Sequence, residues 1–200
     1  PVKTRVSITE LALAFLNAAT SSEIGLTLEK GRVIRLLAAI LSKRFVILTG
    51  LAGSGKTKLA QALVHWLVAS LSNYSLVAVG SDWTGNENIL GYPNGLDSSD
   101  YILKPSLSLM LRARMNPDNL HFLILDEMNM SHVERYFADI LSAIESDEQI
   151  HLHGDVERRA DGTCIPAQFR LPQNLFIIGT VNIDETTYMF SPKVLDRANV

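Results

Sequence analysis

A short apolar run, Phe45-Val46-Ile47-Leu48, leads through Thr49 into Gly50-Leu51-Ala52-Gly53-Ser54-Gly55-Lys56-Thr57, and a helical pattern follows from Lys58. The spacing is Gly-x-x-x-x-Gly-Lys-Thr between a strand and a helix, the Walker A arrangement, and each residue type in it has a chemical use. Glycines let the backbone turn back on itself, so that successive N–H groups from Gly50 to Lys58 converge on phosphate oxygens. The start of the following helix adds unpaired N–H groups and a partial positive charge. Lys56 can set its ammonium against β- and γ-phosphates, and the Thr57 hydroxyl can ligate the Mg²⁺ that bridges them. The pattern therefore predicts a nucleoside triphosphate site. A glycine-rich turn of the same spacing is the alternative, and the flanking strand and helix argue against it.

A second acidic signal lies about 70 residues further on, where the apolar run His121–Leu125 ends in Asp126-Glu127. Ligands of open α/β sheets bind at that end of the strands. Asp126 is expected to hold the Mg²⁺, and Glu127 to orient and deprotonate an attacking water. An adjacent pair of this kind favours attack by water over phosphate transfer to a substrate hydroxyl, so a P-loop kinase is the weaker reading. Asn182 follows a further apolar run, Leu175–Gly179, and is expected to hold the same water with Glu127, unless it is only a turn residue. Arg197 either reaches the γ-phosphate of a neighbouring subunit or pairs with Asp196 or Glu185. His151, His153 and Cys164 match no zinc-ligand spacing. Trp83 and Tyr92 sit in a long polar loop, for packing or for substrate contact.

These residues need a scaffold, and hydrophobic periodicity outlines one. Helical patterns run over Ile8–Ala19, with Ser7 or Thr9 as cap, and over Leu28–Ser42; Lys58–Leu71, Leu107–Met115 and Ser131–Glu145 follow, then a short one from Ser191. Buried strands are predicted at Phe45–Leu48, Ser75–Val79, His121–Asp126 and Leu175–Gly179. The stretch Gly80–Pro105 is rich in Gly, Asn, Asp and Ser and is expected to contain a hairpin with Tyr101-Ile102-Leu103 in one arm; Gln149–Pro172 reads as another. Alternating strands and helices with continuously apolar strands predict an α/β fold, a parallel sheet covered on both faces. Residues 1–43 are expected to form a helical lead-in and 44–200 the nucleotide-binding core.

The totals narrow the function. Two hundred residues suit one domain, and a net charge of −3 gives no basic field for gripping nucleic acid. A single cysteine rules out an internal disulfide and suits a reducing, cytoplasmic setting. No apolar run approaches a membrane span, and the N-terminus has no signal-peptide layout. Starting at Pro1 without a methionine is expected of a piece of a longer protein.

Taken together, G-L-A-G-S-G-K-T, F-L-I-L-D-E-M-N and F-I-I-G-T-V-N resemble the AAA+ ATPases, in the McrB-like branch that also holds MoxR and the dynein-type motors. The resemblance covers residues from about 30 to 200, and 91–104 and 149–172 match the two hairpin insertions of that branch. It implies a three-layer αβα P-loop sandwich with strand order 5-1-4-3-2, the fifth strand truncated near Ala198-Asn199-Val200 and the helical lid absent. It also implies an ATP-hydrolysing motor module, assembled as a homo-oligomeric ring, a hexamer. That module would drive DNA translocation or remodelling in a restriction or defence system, with DNA contacted through other domains and a nuclease supplied by another domain or subunit. The alternatives are a GTPase of the McrB type and a nucleotide-gated scaffold. The segment V-N-I-D-E at 181–185 departs from the Met-Asn-Thr-x-Asp of McrB-type proteins, and the Asn-Lys-x-Asp of small GTPases is absent. ATP is therefore the first choice of nucleotide and GTP the second.

Overall fold

Alternate residues of the central strands divide between two apolar clusters, and that division fixes which side of the sheet each functional residue can face. The computed structural model describes residues 6–21, 28–154, 157–183 and 188–200. Four parallel strands form the sheet: β1 (Phe45–Gly50), β2 (Tyr74–Ala78), β5 (His121–Asp126) and β10 (Leu175–Asn182), in the order β1-β10-β5-β2. Phe45, Ile47, Leu123, Leu125, Leu175 and Ile177 face one cluster, whereas Val46, Phe122, Ile124 and Ile178 face the other. This is the period of two that a pleated strand imposes.

The second cluster is closed by α1 (Ile8–Ser21), α2 (Lys30–Ser42) and α3 (Lys56–Leu67). Ser7 starts α1: its hydroxyl accepts from the Glu10 N–H while the Glu10 carboxylate accepts from the Ser7 N–H, a reciprocal cap. The first cluster is closed by α5 (Pro105–Met115), α6 (Val133–Tyr136) and α7 (Ala138–Ser146), with the four-residue helices α4 (Glu87–Leu90) and α8 (Pro192–Leu195) at its margin. The result is a layer of helices on each face of a parallel sheet, compatible with a P-loop nucleotide-binding sandwich.

Several expectations are corrected. The strand β2 is not buried on both faces; it is the sheet edge and is half-exposed along its length. The helix expected over Ser131–Glu145 is two helices, because Phe137 adopts φ −116° and ψ 4° between them. Consecutive residues on a straight helix point about 100° apart, and the break lets both Tyr136 and Phe137 bury fully. Tyr136 then donates its hydroxyl to the Met128 carbonyl at 2.7 Å, and Trp83 meets its ring edge-on, so Trp83 is a packing residue. The helix from Ser191 is a single turn, after which Asn199 makes one parallel bridge to Val46 at the open edge of β1.

Both hairpins are present. The strands β3 (Tyr92–Pro93) and β4 (Tyr101–Ile102) pair, and the second insertion holds two ladders, β6 (Gln149–His151) with β9 (Gln168–Arg170) and β7 (Arg158–Ala160) with β8 (Thr163–Ile165). The insertions also join each other, through a bridge between Asp100 and Arg159 and a 2.8 Å bond from the Arg159 N–H to the Ser99 carbonyl. No helix among the described residues is long and apolar enough to cross a membrane.

His121 opens β5 fully buried, with Nε2 unpartnered among the described residues and Nδ1 at 3.0 Å from the Asn119 carbonyl oxygen. Burial lowers its pKa below the ordinary value of about 6.5. The folded state therefore keeps the ring neutral, while the unfolded chain takes up a proton below about pH 6.5. The contribution is complete above that pH and is lost as pH falls towards the folded value, at up to about 1.4 kcal/mol per pH unit. Urea unfolding at pH 7.5, 6.0 and 5.0 should show this slope, and His121→Phe should flatten it. An equal slope in the variant would assign the acid sensitivity to other groups.

Candidate nucleotide site

The phosphate loop leaves β1 at Gly50 and enters α3 at Lys56. Gly53 and Gly55 stand at φ 72° and 83°, the left-handed region that a side chain disfavours, and Gly55 is the residue from which α3 starts. Lys56 folds back over the loop, and its ammonium donates to the carbonyls of Gly50 at 2.9 Å and Leu51 at 2.7 Å and lies 3.3 Å from the Ser54 hydroxyl.

Strand register brings the acids to this loop. Ala78 is level with Asp126, Leu48 with Thr180, and Gly50 with Asn182, so the C-terminal ends of all four strands meet at one edge. Asp126 continues the Phe122, Ile124 series that faces α3, and Thr180 continues Ile178. Thr57, on the first turn of α3, donates its hydroxyl to Asp126 Oδ1 at 2.5 Å, joining residues 69 apart in sequence. Thr180 donates to the same oxygen at 2.6 Å and accepts from the Glu127 N–H at 3.0 Å.

Glu127 breaks the strand pattern. Its backbone is left-handed (φ 52°, ψ 48°), and its carboxylate accepts from Asn182 Nδ2 at 3.0 Å. A tight turn, Met128–Met130, follows and is pressed against β10 at Gly179, where an added Cβ would come within 2.6 Å of the Met128 sulfur. Within that turn the buried Asn129 donates its amide to the Asn182 carbonyl at 2.9 Å, which holds the end of β10 in place.

The structure thus brings together Ala52 to Lys58, Asp126, Glu127, Thr180 and Asn182 around one cavity of about 590 Å³. The donors offered by Thr57 and Asp126 are hard oxygens, a hydroxyl and a carboxylate, which suit Mg²⁺ rather than a softer metal. The Asn182 amide and the Glu127 carboxylate bond to each other directly at 3.0 Å, so a water is not held between those two atoms as expected, and a polar reactant would approach the second Glu127 oxygen. A larger cleft of about 760 Å³ lies at the opposite end of the sheet against Leu120 and Phe176, but it contains neither the phosphate loop nor a strand-end acid pair.

Arg197 is not part of this cluster. It lies in a separate cleft with Lys43, Arg44 and Lys193, and its guanidinium pairs with Glu145 and donates to the Lys193 carbonyl. The in-chain partner is therefore Glu145 rather than Asp196; Glu185 lies outside the described residues. Burial also lowers the pKa of the neighbouring Arg44, whose guanidinium donates to the Pro172 carbonyl at 3.0 Å. The residue that sequence reading missed is Thr180. Its signal is positional: it stands two residues before Asn182, on the strand face shared with Asp126.

A parallel α/β sandwich with a glycine loop and strand-end acids on one edge defines the broad class, compatible with the P-loop nucleotide-binding proteins. Within it, the chain is similar to the Type IV methyl-directed restriction enzyme EcoKMcrB subunit of Escherichia coli (strain K12), 24% identical over 160 residues that cover 74% of this chain and 32% of that protein. The chain spans about a third of that relative's length. No protein-family model matches it.

Proposed function

We propose that this chain is the nucleotide-binding and hydrolysing core of an AAA+ motor module, an NTPase read first as an ATPase, with a GTPase as the alternative. The observation that carries the reading is the 2.5 Å contact between Thr57 and Asp126, which seats a strand-end acid directly against the phosphate loop. The loop amides and Lys56 would bind the phosphates, with Lys56 exchanging its present carbonyl partners for phosphate oxygens. Thr57 and Asp126 would hold Mg²⁺, which when bound neutralises charge on the bridged phosphate oxygens. Asn182 engages one oxygen of Glu127, leaving the other to accept a proton from water.

The likeness to a restriction-enzyme subunit supports placing the module in a restriction or defence system, in which hydrolysis drives DNA translocation or remodelling. On this reading the protein assembles as a homo-oligomeric ring, a hexamer, and works with a nuclease carried by another domain or subunit. The test is nucleotide titration and phosphate release with Mg–ATP and Mg–GTP in parallel. Hydrolysis that needs no acceptor other than water supports the reading, ATP preference settles the base, and transfer only to an added hydroxyl compound would favour a kinase.

A second reading, a scaffold ordered by nucleotide binding alone, draws support from the retention of Arg197 by Glu145 in its own chain. Arg197→Ala separates the two. A motor loses turnover on assembly, whereas a scaffold keeps both its assembly and its basal turnover.

A further inference from the structure

We infer that Thr180 is the positioning residue of this site, orienting through one hydroxyl both the carboxylate of Asp126 and the backbone that carries Glu127. The inference rests on the nucleotide-hydrolysing reading and extends it to a residue outside the phosphate loop and the acid pair.

Its hydroxyl is 2.6 Å from Asp126 Oδ1 and 3.0 Å from the Glu127 nitrogen. A threonine hydroxyl carries one proton and two lone pairs. A carboxylate only accepts and a backbone N–H only donates, so the direction of both bonds is fixed: Glu127 N–H to Oγ1, and Oγ1–H to Oδ1. The side chain is 1% exposed, so water does not compete for either bond.

Two consequences follow. Thr57 from α3 and Thr180 from β10 both donate to Oδ1, so the carboxylate is gripped from two elements and cannot rotate without losing one bond. Among the described residues, Oδ2 has no donor. The oxygen left for a hydrated cation is thereby chosen before any ligand arrives. The second consequence concerns Glu127, held at φ 52° and ψ 48°, a left-handed conformation that a residue with a Cβ disfavours. A continued extended strand would send its side chain to the opposite face from Asp126. The left-handed turn brings the Glu127 carboxylate to Asn182 instead, and the Thr180 hydroxyl engages the amide at which the turn begins.

Valine replaces the hydroxyl by a methyl of similar shape and keeps the β-branch that suits a buried strand. A role in packing alone would survive Thr180→Val, and a role through the hydroxyl would survive only Thr180→Ser. In the nucleotide-free protein, Thr180→Val is expected to fold and to exchange the Glu127 amide proton at least about tenfold faster, because a buried bond to that N–H is gone. With a fluorescent ATP analogue at saturating Mg²⁺, binding should stay within about threefold, while the Mg²⁺ concentration for half-maximal binding rises several-fold. Single-turnover hydrolysis should fall roughly 10- to 100-fold, the usual cost of losing a group that orients a metal ligand. Thr180→Ser should restore all three readouts to within about threefold.

Wild-type exchange, Mg²⁺ response and hydrolysis in Thr180→Val would overturn the inference. So would a serine variant as impaired as the valine one, which assigns the residue to its methyl group, or a valine variant that does not fold, which makes the hydroxyl a requirement of the whole fold rather than a device that orients this site. A wild-type protein that takes up no Mg–nucleotide would bring down the reading of the site itself, before any variant is made.

Discussion

Glu127→Gln is expected to reduce phosphate release by roughly 10²- to 10⁴-fold, the range for removing a positioned general base. Nucleotide affinity should stay within about threefold. The substitution is close to a pure chemical change. The glutamine oxygen can still accept from Asn182 Nδ2, as Glu127 does at 3.0 Å, and the backbone bond from residue 127 to Thr180 is untouched. What disappears is the carboxylate able to take a proton from water. The variant should therefore load Mg–nucleotide and hold it, so a fluorescent nucleotide should dissociate slowly while phosphate release nearly stops. Wild-type turnover in Glu127→Gln would remove the assigned base and leave Asp126 to be considered alone. A parallel loss of binding and turnover would place Glu127 in the structure of the loop rather than in the chemistry.

Much of this site was legible because its residues are short-range patterns. Gly50–Thr57 is a contiguous motif, and Asp126-Glu127 sits where an unbroken apolar run stops. Both depend on local rules for strand ends and positive-φ glycines, which a linear reading captures. Asn182 reads in the same way, but the apolar run before it stops at Gly179, whereas β10 runs on to Asn182. That misplaced boundary hid Thr180. Once the strand is extended, the period of two places Thr180 on the side of Asp126 without further information.

Other features could not be read because they depend on partners distant in sequence. The edge position of β2 follows from which strands pair, and five apolar-rich residues look alike at an edge and in the middle. The break at Phe137 is set by two adjacent aromatic rings that must both be buried, against Met128 and Trp83 in one case and Phe45 in the other. Arg197 has two acids close in sequence, Asp196 and Glu185, yet the structure uses Glu145, at the end of a helix more than 50 residues upstream. Charge pairing of this kind carries no periodic signal. The docking of the two hairpins through Asp100 and Arg159 is likewise a contact between insertions, each of which reads alone as an ordinary turn-rich segment.

Lys56→Ala is expected to weaken Mg–nucleotide binding by at least about 100-fold, equivalent to roughly 2.7 kcal/mol. Two losses combine to give that magnitude. The ammonium is the charge in the phosphate loop, and a hydrogen bond involving a charged group contributes about 1.5–3 kcal/mol. The same group also shapes the loop before ligand arrives: Lys56 bonds to the carbonyls of Gly50 and Leu51 and lies close to the Ser54 hydroxyl, tying both ends of the turn to the start of α3. Alanine keeps the helix, being a strong helix former, so the melting temperature should move by only a few degrees. Lys56→Arg separates the two losses. It keeps the positive charge, but its planar fork cannot reproduce a compact ammonium seated over carbonyl oxygens, so it should recover only part of the affinity. Isothermal titration with Mg–ATP across wild type, Lys56→Ala and Lys56→Arg checks the order. An alanine variant that binds like wild type would show that the loop at Gly50–Thr57 is not where the phosphates sit. The contact between Thr57 and Asp126 would then be a structural bond between a helix and a strand, with no triphosphate for it to serve.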